Sequence, residues 1–270
     1  MITVRNLSKT FFAGTPNEVR ALRGVNLDIP EGRFAAIIGT NGSGKSTLLN
    51  AIAGTFEIDG GSVEMEGCDI SRWPEYRRAK WIGRVFQNPF AGTAAQMTIA
   101  ENLALAMRRG MMRGLGGALS KKSRVQMAER VRMLGMGLED RLDNPIGTLS
   151  GGQRQALTLL MATWLKPKLL LLDEHTAALD PKSAAQVAEL TREIIHRDKL
   201  TALMVTHSMQ QAVDLPDCIV MMHRGQIVRQ VDEEEMSRVR VPDLLAAFDR
   251  VRRRELLDDA VAEIIRVQYR

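Results

Sequence analysis

The sequence is short of cysteine, of signal-peptide character and of long apolar runs, and each shortage excludes a class of protein. Its two cysteines, Cys68 and Cys218, lie far apart without CxxC or metal-ligand spacing, so we expect reduced thiols and no disulfide framework. The amino terminus, MITVRNLSKTFF, lacks the apolar stretch of a signal peptide. No apolar run approaches the roughly 18 residues of a membrane span, so we expect a chain that does not cross a bilayer by itself.

Aromatic side chains are scarce as well, at 4% of the 270 residues. The net charge is +5, and basic residues cluster in segments 108–124 and 250–255, but neither cluster is interleaved with aromatics. Because binding of single strands by base stacking needs such aromatics, we expect no nucleic-acid partner. Apolar residues make up 45% of the chain, enough for the core of one large α/β domain or two small ones.

Strand and helix signals alternate along much of the chain. RFAAIIG (33–39), KLLLLD (168–173) and LTALMVTH (200–207) predict buried strands. KSTLLNAIAG (45–54) and PKSAAQVAELTREIIHRDK (181–199) have the spacing of helices. This alternation predicts a mainly parallel sheet, which binds ligands beyond the carboxyl ends of its strands.

Other regions depart from that alternation. Residues 2–12 have the pattern of an edge strand, and residues 218–230 predict a terminal hairpin. Between about 88 and 160, strand signals vanish and helical patterns remain, which indicates a helical insertion. Residues 232–270 are charged and helical, with 232–240 as a candidate linker.

A glycine-rich turn, GTNGSGKST (39–47), follows the first predicted buried strand and precedes a helix. It fits the pattern G-x-x-x-x-G-K-[ST] in the strand–helix context that identifies a phosphate-binding P-loop. Its glycines allow backbone N–H groups to face phosphate, Lys45 can reach the β and γ phosphates, and Ser46 can bind Mg²⁺. The turn therefore predicts a site for ATP and Mg²⁺, which we call the first anion site.

Polar side chains end three more predicted strands. LLLLDE (169–174) delivers Asp173, which would hold Mg²⁺ directly or through water, and Glu174, which would act as general base on the attacking water. A solvated acidic loop is the alternative. A lone histidine such as His207 is more often structural, but beside ATP its imidazole can touch the γ-phosphate. Gln87 ends KWIGRVFQ, from where it can reach Mg²⁺ and the water.

TLSGGQRQALTLL (148–160) holds two adjacent glycines at the start of a predicted helix. Glycine costs a helix about 1 kcal/mol relative to alanine, so the pair needs a reason. The free N–H groups and the dipole at a helix start suit an anion. Ser150, Gly151 and Gly152 therefore predict a second phosphate site; we call residues 150–153 the second anion site.

Together, these motifs resemble, in order and spacing, those of the ATP-binding subunit of an ABC transporter over roughly residues 1–230. GTNGSGKST matches the Walker A motif, LLLLDE the Walker B motif and LSGGQ (149–153) the signature motif. Gln87 matches the Q-loop, AALD (177–180) the D-loop and His207 the H-loop.

The resemblance implies an α/β fold: a P-loop NTPase (RecA-like) core with a mainly parallel sheet, an antiparallel β subdomain and an inserted α-helical subdomain. The ABC ATP-binding domain would span residues 1–231, with its core at 1–88 and 161–231 and its helical subdomain at about 89–160. Residues 232–270 would form a C-terminal helical tail.

The resemblance also implies roles for individual residues. The ATP-binding residues would be Phe11, Gly39, Thr40, Asn41, Gly42, Ser43, Gly44, Lys45, Ser46, Thr47, Gln87 and His207. Catalysis would rest on Lys45, Gln87, Glu174 and His207, and the Mg²⁺ ligands would be Ser46, Gln87 and Asp173. The residues serving ATP held by a second copy would be Ser150, Gly151, Gly152, Gln153 and Asp180. Phe11 would stack on adenine; Phe12 is the alternative, and a core role is open for either.

The implied partners follow from the same resemblance. Two copies would form a head-to-tail homodimer around two ATP molecules and bind integral membrane permease subunits, with an extracytoplasmic solute-binding protein beyond the membrane. The chain would then sit peripherally on the cytoplasmic face of the inner (plasma) membrane. DEHTAALD and SGGQRQALTLLMAT look like a bacterial subgroup associated with amino-acid uptake, so we expect an importer. The alternatives are an exporter or lipid-extraction complex and, disfavoured by the single set of motifs, a soluble ABC ATPase acting on DNA or ribosomes.

In the resembled family, the permease docks a short helix in a groove between the core and the helical insertion. Gln87 and residues 88–97 would line that groove. Methionines at 97, 107, 111 and 112 would give an adaptable docking surface, with a Met-rich helical core as the alternative.

Two residues depart from the family pattern. His175 stands where proline usually follows the Walker B glutamate, and Ala177 stands where the D-loop usually has serine. Because DEHTAALD keeps both acids and Asp180, we expect hydrolysis to be retained. A histidine at 175 raises the hypothesis that activity is pH-sensitive between pH 6 and 8.

Overall fold

Two sheets frame the computed structural model, which describes residues 1–110 and 119–251. The strands are β1 (Ile2–Phe11), β2 (Val19–Ile29), β3 (Phe34–Gly39), β4 (Gly60–Met65), β5 (Cys68–Asp69), β6 (Ile82–Val85), β7 (Leu169–Asp173), β8 (Ala202–Val205), β9 (Cys218–His223) and β10 (Gln226–Val231). Four of them form an antiparallel sheet in the order β2-β1-β4-β5, and six form a second sheet in the order β10-β9-β3-β8-β7-β6.

Strand β1 lies inside the antiparallel sheet, so the prediction of an edge strand was wrong. Ile2 pairs with Ile29 of β2 on one side and with Met65 of β4 on the other. Alternation of apolar residues reports one buried face of a strand, and it carries no information about how many neighbours the backbone has.

The second sheet confirms the predicted parallel architecture. Its strands β6, β7, β8, β3 and β9 run parallel, and only β10 is antiparallel, in the predicted hairpin with β9. The carboxyl ends of β3, β7 and β8 therefore lie side by side, which brings Gly39, Asp173 and Val205 to one edge.

Helices flank both faces of this sheet. The helices that accompany these strands are α1 (Lys45–Ala53), α2 (Glu75–Arg78), α3 (Ile99–Met107), α4 (Lys121–Arg132), α5 (Gly151–Thr163), α6 (Pro181–Asp198), α7 (Met209–Asp214) and α8 (Glu233–Met236). Helices α3, α4 and α5 all lie between β6 and β7 in the chain. No helix within residues 1–110 and 119–251 is long and apolar enough to span a membrane.

Strand β3 shows how the core is divided. Ala36 and Ile38 belong to a buried cluster that includes α3, α5 and α6, whereas Ala35 and Ile37 belong to a second cluster with α1 and the antiparallel sheet. Because successive side chains of a strand point to opposite faces, one continuous apolar strand serves both clusters. The parallel sheet is thus covered on both faces.

The candidate linker at 232–240 is structured. Asp232 caps the short helix α8 by accepting a hydrogen bond from Glu235 N, and a further helical segment runs from 241 to the end of the described part at 251. Val239 and Leu244 are buried in the same cluster as α5. The predicted tail beyond 251, with most of the basic cluster at 250–255, lies outside the described residues.

Candidate functional site

The first anion site is a tight turn between β3 and α1. A Cβ on Gly39 would lie 2.4 Å from the carbonyl oxygen of Met222, so only glycine fits where β3 meets β9. Gly225 N, in the turn of the β9–β10 hairpin, donates to Ser43 O at 3.0 Å. The hairpin therefore supports the turn from outside the P-loop sequence itself.

Lys45 is buried under this turn. Its ammonium donates to the carbonyl oxygens of Gly39 and Thr40 at 2.9 and 3.0 Å. Burial lowers the pKa of Lys45, while Glu174 and Asp173 act in the opposite direction. Among the described residues, the hydrogen bonds of this ammonium go to neutral carbonyls, and phosphate oxygens would offer it charged acceptors instead.

The site fits a nucleotide phosphate with Mg²⁺. Ser43 Oγ is buried without a hydrogen-bond partner among the described residues, at the turn where phosphate would be held. The hydroxyl of Ser46 lies 3.3 Å from Asp173 Oδ1. A hydroxyl and a carboxylate, both hard oxygen donors, are the ligands that Mg²⁺ takes beside phosphate.

Glu174 and His207 meet at the ends of β7 and β8. His207 Nε2 lies 2.5 Å from Glu174 Oε1, and the glutamate side chain is only 12% exposed. The backbone N–H of Glu174 donates to Val205 O at 3.0 Å, which extends the β7–β8 pairing to the catalytic candidate. The parallel register thus brings together two residues that are 33 positions apart in sequence (207 − 174).

Gln87, Phe11 and Phe12 have no described hydrogen bond or ion pair to the first anion site. Gln87 is exposed, and no hydrogen bond joins it to Ser46 or Asp173 in the described part of the chain. Phe11 packs edge-to-face on Phe56, with the ring centroids 5.3 Å apart, whereas Phe12 is 69% exposed. The stacking of Phe11 or Phe12 on adenine therefore stays a prediction.

The second anion site begins helix α5 with a capping box. Ser150 Oγ accepts from Gln153 N, and Gln153 Oε1 accepts from Ser150 N, both at 3.2 Å. The two side chains therefore already have a structural role at the helix start. Within the described residues, no hydrogen bond or ion pair joins this site to the first anion site.

The glycine pair also has an intramolecular reason that the sequence did not reveal. A Cβ on Gly152 would lie 2.8 Å from Cβ of Ser183, in the first turn of α6. Asp180 caps that same turn by accepting from Ser183 N at 3.0 Å. Hydrogen bonding with the Ser183 side chain, and next with its backbone N–H, lowers the pKa of the Asp180 carboxyl. The signature helix and the D-loop helix are therefore in close contact within one chain.

Two buried polar residues of α5 reach the segment around Gln87. Gln155 Nε2 donates to the carbonyl oxygen of Phe86 at 2.9 Å. The guanidinium of Arg154 stacks on the Phe90 ring, 3.8 Å from its centroid. Both were missed at the level of sequence, although polar residues on an otherwise apolar helix are the signal for such contacts.

His175 turns into the protein interior. It is 1% exposed, and its Nε2 lies 3.0 Å from Thr191 Oγ1 of α6. Burial lowers its pKa to about 4. An imidazole that stays neutral from pH 6 to 8 contradicts the hypothesis of a pH switch in that range.

A groove with a volume of about 840 Å³ lies between β6, α3 and α5. Its lining includes Phe86, Gly92, Met97 and Leu105. Of the residues predicted to line a docking groove, Gly92 and Met97 line this one and Gln87 does not; its use for docking stays a prediction. Met107 packs against the core cluster, as the alternative had it, and the methionines at 111 and 112 lie outside the described residues.

Three comparisons with known proteins agree. The family described as ABC transporter matches residues 22–177. A tyrosine transport ATP-binding protein of Clostridioides difficile (strain R20291) is 40% identical over 251 residues, covering 92% of this chain and 99% of that protein. A probable sulfate/thiosulfate import ATP-binding protein, CysA, of Chlorella vulgaris is 36% identical over 236 residues, covering 87% and 93%.

Solved structures give the same answer for the fold. A dimeric, post-hydrolysis structure of the ATP-binding cassette MJ0796 bound to ADP and Pi superposes with a TM-score of 0.74 at 28% identity, covering 86% of this chain and 99% of that one. A structure of the cassette MJ1267 in its ADP conformation gives a TM-score of 0.73 at 29% identity, covering 88% and 94%.

Proposed function

The chain belongs to the ABC transporter family as an ATP-binding subunit with ATPase activity, and we propose that it powers import of an amino acid or similar small solute through a separate permease. The observation that carries the ATPase chemistry is the convergence of Lys45, Asp173, Glu174 and His207 at one sheet edge. The proposal of import follows the relative named for tyrosine transport.

We assign each converging residue a task. The first anion site binds the phosphates through its backbone N–H groups and Lys45. Ser46, Asp173 and Gln87 would hold Mg²⁺, and the bound ion would neutralise phosphate charge. Glu174 takes a proton from the attacking water, and His207, in contact with Glu174, holds that carboxylate and reaches the γ-phosphate.

The second anion site completes the ATP site of another copy. Support comes from its position: it has helix N–H groups but lacks a lysine and metal ligands, and no described contact links it to the first site of its own chain. A head-to-tail homodimer would place Ser150–Gln153 and Asp180 of one copy against ATP bound by the other. The dimeric cassette structure is consistent with this arrangement.

The groove between β6, α3 and α5 would receive a short helix of the permease. The domain division proposed above, with a helical unit at about 89–160, would let ATP-driven closure move this groove relative to the core. Gln155 and Arg154 support such coupling because they tie α5 to the segment around Gln87. The complex would hold the chain peripherally at the cytoplasmic face of the inner membrane, with an extracytoplasmic solute-binding protein as a further partner.

The chemistry is tested by Glu174→Gln, with Glu189→Gln, an exposed carboxylate on α6, as the matched control. We expect the first variant to bind ATP, to lose turnover by about 10²-fold or more, and to accumulate as an ATP-bound dimer. The control should hydrolyse ATP like the wild type. Undiminished hydrolysis by Glu174→Gln would remove Glu174 from the role of base.

The transporter role is tested by Leu105→Glu, which places a charge on a 52% exposed residue of the groove. Leu165→Glu is the control, because Leu165 is 39% exposed and does not line the groove. Each variant is expressed together with the membrane proteins encoded beside it. The wild type and the control should co-purify with a permease, and an uptake assay on the wild-type complex should show transport of an amino acid. Equal co-purification by Leu105→Glu would refute the docking site.

A further inference from the structure

The loops that carry Glu174 and His207 are joined by a side chain that belongs to neither motif. Gln211, on α7, lies between Thr176 and Thr206. Thr176 is two residues after Glu174, and Thr206 directly precedes His207. Both threonines are buried, at 7% and 5% exposure.

A series of hydrogen bonds connects the two loops, and Thr176 Oγ1 lies within hydrogen-bond distance of both Gln211 Oε1 and Gln211 Nε2. Ser208 N donates to Thr206 Oγ1 at 3.1 Å, and Thr206 Oγ1 donates to Gln211 Oε1 at 3.2 Å. Gln211 Nε2 then donates to Thr176 Oγ1 at 3.1 Å. In a chain of this kind each hydrogen bond polarises the next, so its members act as a unit.

Gln211 is itself fixed at the start of α7. Its backbone N–H donates to Ser208 Oγ, the cap of that helix, at 3.2 Å. The amide therefore approaches the two threonines from a helical turn anchored in the loop that carries His207.

The backbone at Glu174 requires such support. Its φ of 46° lies in the left-handed region, which a glutamate rarely adopts unless its surroundings hold it there. The contact between His207 Nε2 and Glu174 Oε1 also depends on the relative position of the two loops. Gln211 contacts one side chain of each loop, Thr176 and Thr206, and so bridges the loops that carry this contact.

We propose that Gln211 is a positioning residue for hydrolysis: its amide holds the loops of Glu174 and His207 in register so that the carboxylate is aimed at the attacking water. This inference rests on the proposed role of Glu174 as base. Gln211 does not touch the nucleotide in this account; its effect passes through Thr176 and Thr206.

The experiment compares variants of the full-length chain by steady-state ATPase assay and by binding of a fluorescent ATP analogue. Gln211→Leu removes both side-chain hydrogen bonds at similar volume. Gln211→Glu keeps an acceptor for each threonine hydroxyl. Gln210→Leu is the matched control, since Gln210 precedes it on the same helix, is exposed and bonds only to Asp214 in the described residues.

We expect Gln211→Leu to lower kcat by about 10- to 100-fold, because misplacement of a general base costs rate rather than binding. The KM for ATP and the affinity for the analogue should stay within about twofold of the wild type. Gln211→Glu should recover most of kcat, and Gln210→Leu should behave like the wild type. Thr206→Val should lower kcat in the same way, and its combination with Gln211→Leu should lower kcat no further.

The proposal is overturned if Gln211→Leu has the kcat of Gln210→Leu, if its loss appears in KM alone, or if Gln211→Glu fails to recover activity. Should Gln211→Leu fail to fold, the comparison of Thr206→Val with Thr206→Ser decides in its place, with recovery expected only for serine. A failure of the proposed role of Glu174 can be told apart from a failure of the proposed role of Gln211. The former would appear as unchanged hydrolysis by Glu174→Gln, regardless of the results for the Gln211 variants.

Discussion

Acidification should destabilise this protein through one buried histidine. His175 is 1% exposed, and its hydrogen-bond partner among the described residues is a neutral threonine hydroxyl, which brings no opposite charge to a protonated ring. Its pKa falls from 6.5 to about 4 on folding. The folded state therefore resists the proton that the unfolded state accepts, and stability present above pH 6.5 is lost as the pH falls toward 4.

The size of the effect follows from the two pKa values. A shift from 6.5 to about 4 corresponds to about 3 kcal/mol over the whole titration. At pH 5, about 2 kcal/mol of this is already lost, whereas at pH 7.5 the loss is close to zero. Because domains have unfolding free energies of about 5–15 kcal/mol, a change of this size is readily measured.

Urea unfolding at pH 7.5 and pH 5, without nucleotide or Mg²⁺, measures this contribution. The loss of unfolding free energy between the two pH values should be about 2 kcal/mol larger for the wild type than for His175→Gln, whose neutral amide can still meet Thr191. His196→Gln, which changes an exposed histidine of α6, the helix that carries Thr191, should keep the wild-type difference. Equal pH dependence in the wild type and His175→Gln would refute the reasoning.

Other substitutions test separate parts of the site. Lys45→Ala should weaken ATP-analogue binding by at least about tenfold, as measured by fluorescence titration, because it removes the buried cation that faces phosphate; unchanged affinity would count against that role. Gly152→Ala should lower the unfolding free energy by about 1–3 kcal/mol in urea titrations, because its Cβ would lie 2.8 Å from Ser183 Cβ. The double change with Ser183→Gly should relieve that contact, and absence of any recovery would place the cost elsewhere.

The proximity of the polar residues at the sheet edge could be predicted from the sequence, because parallel strands place their carboxyl ends side by side. Short apolar runs ending in Gly39, Asp173 and His207 predict parallel strands, and parallel strands end at one edge. The structure accordingly brings Ser46 to Asp173 and His207 to Glu174. The position of these residues at strand ends predicts that they lie close together, whereas their chemical roles were predicted from the motifs themselves.

Other features depend on packing that a single sequence does not express. The pairing of β1 on both sides and the orientation of the His175 ring into the core follow from tertiary contacts. Gln211 is 35 residues from Thr176 (211 − 176), and only the fold brings them together. Gly152 was predicted to belong to a phosphate site because it lies at a helix start. Its close contact with Ser183 depends on the packing of α5 against α6, which the sequence does not show.

The central claim is that each ATP site uses the P-loop of one copy and the second anion site of another. Lys45→Ala and Ser150→Arg each inactivate one half, and a mixture of the two variants contains heterodimers with one intact composite site. The most direct measurement is the ATPase rate of an equimolar mixture of the two purified variants. The account predicts recovery to about a quarter of the wild-type rate, since half of the dimers would carry one working site of two; a rate equal to the mean of the two variants measured alone would contradict it.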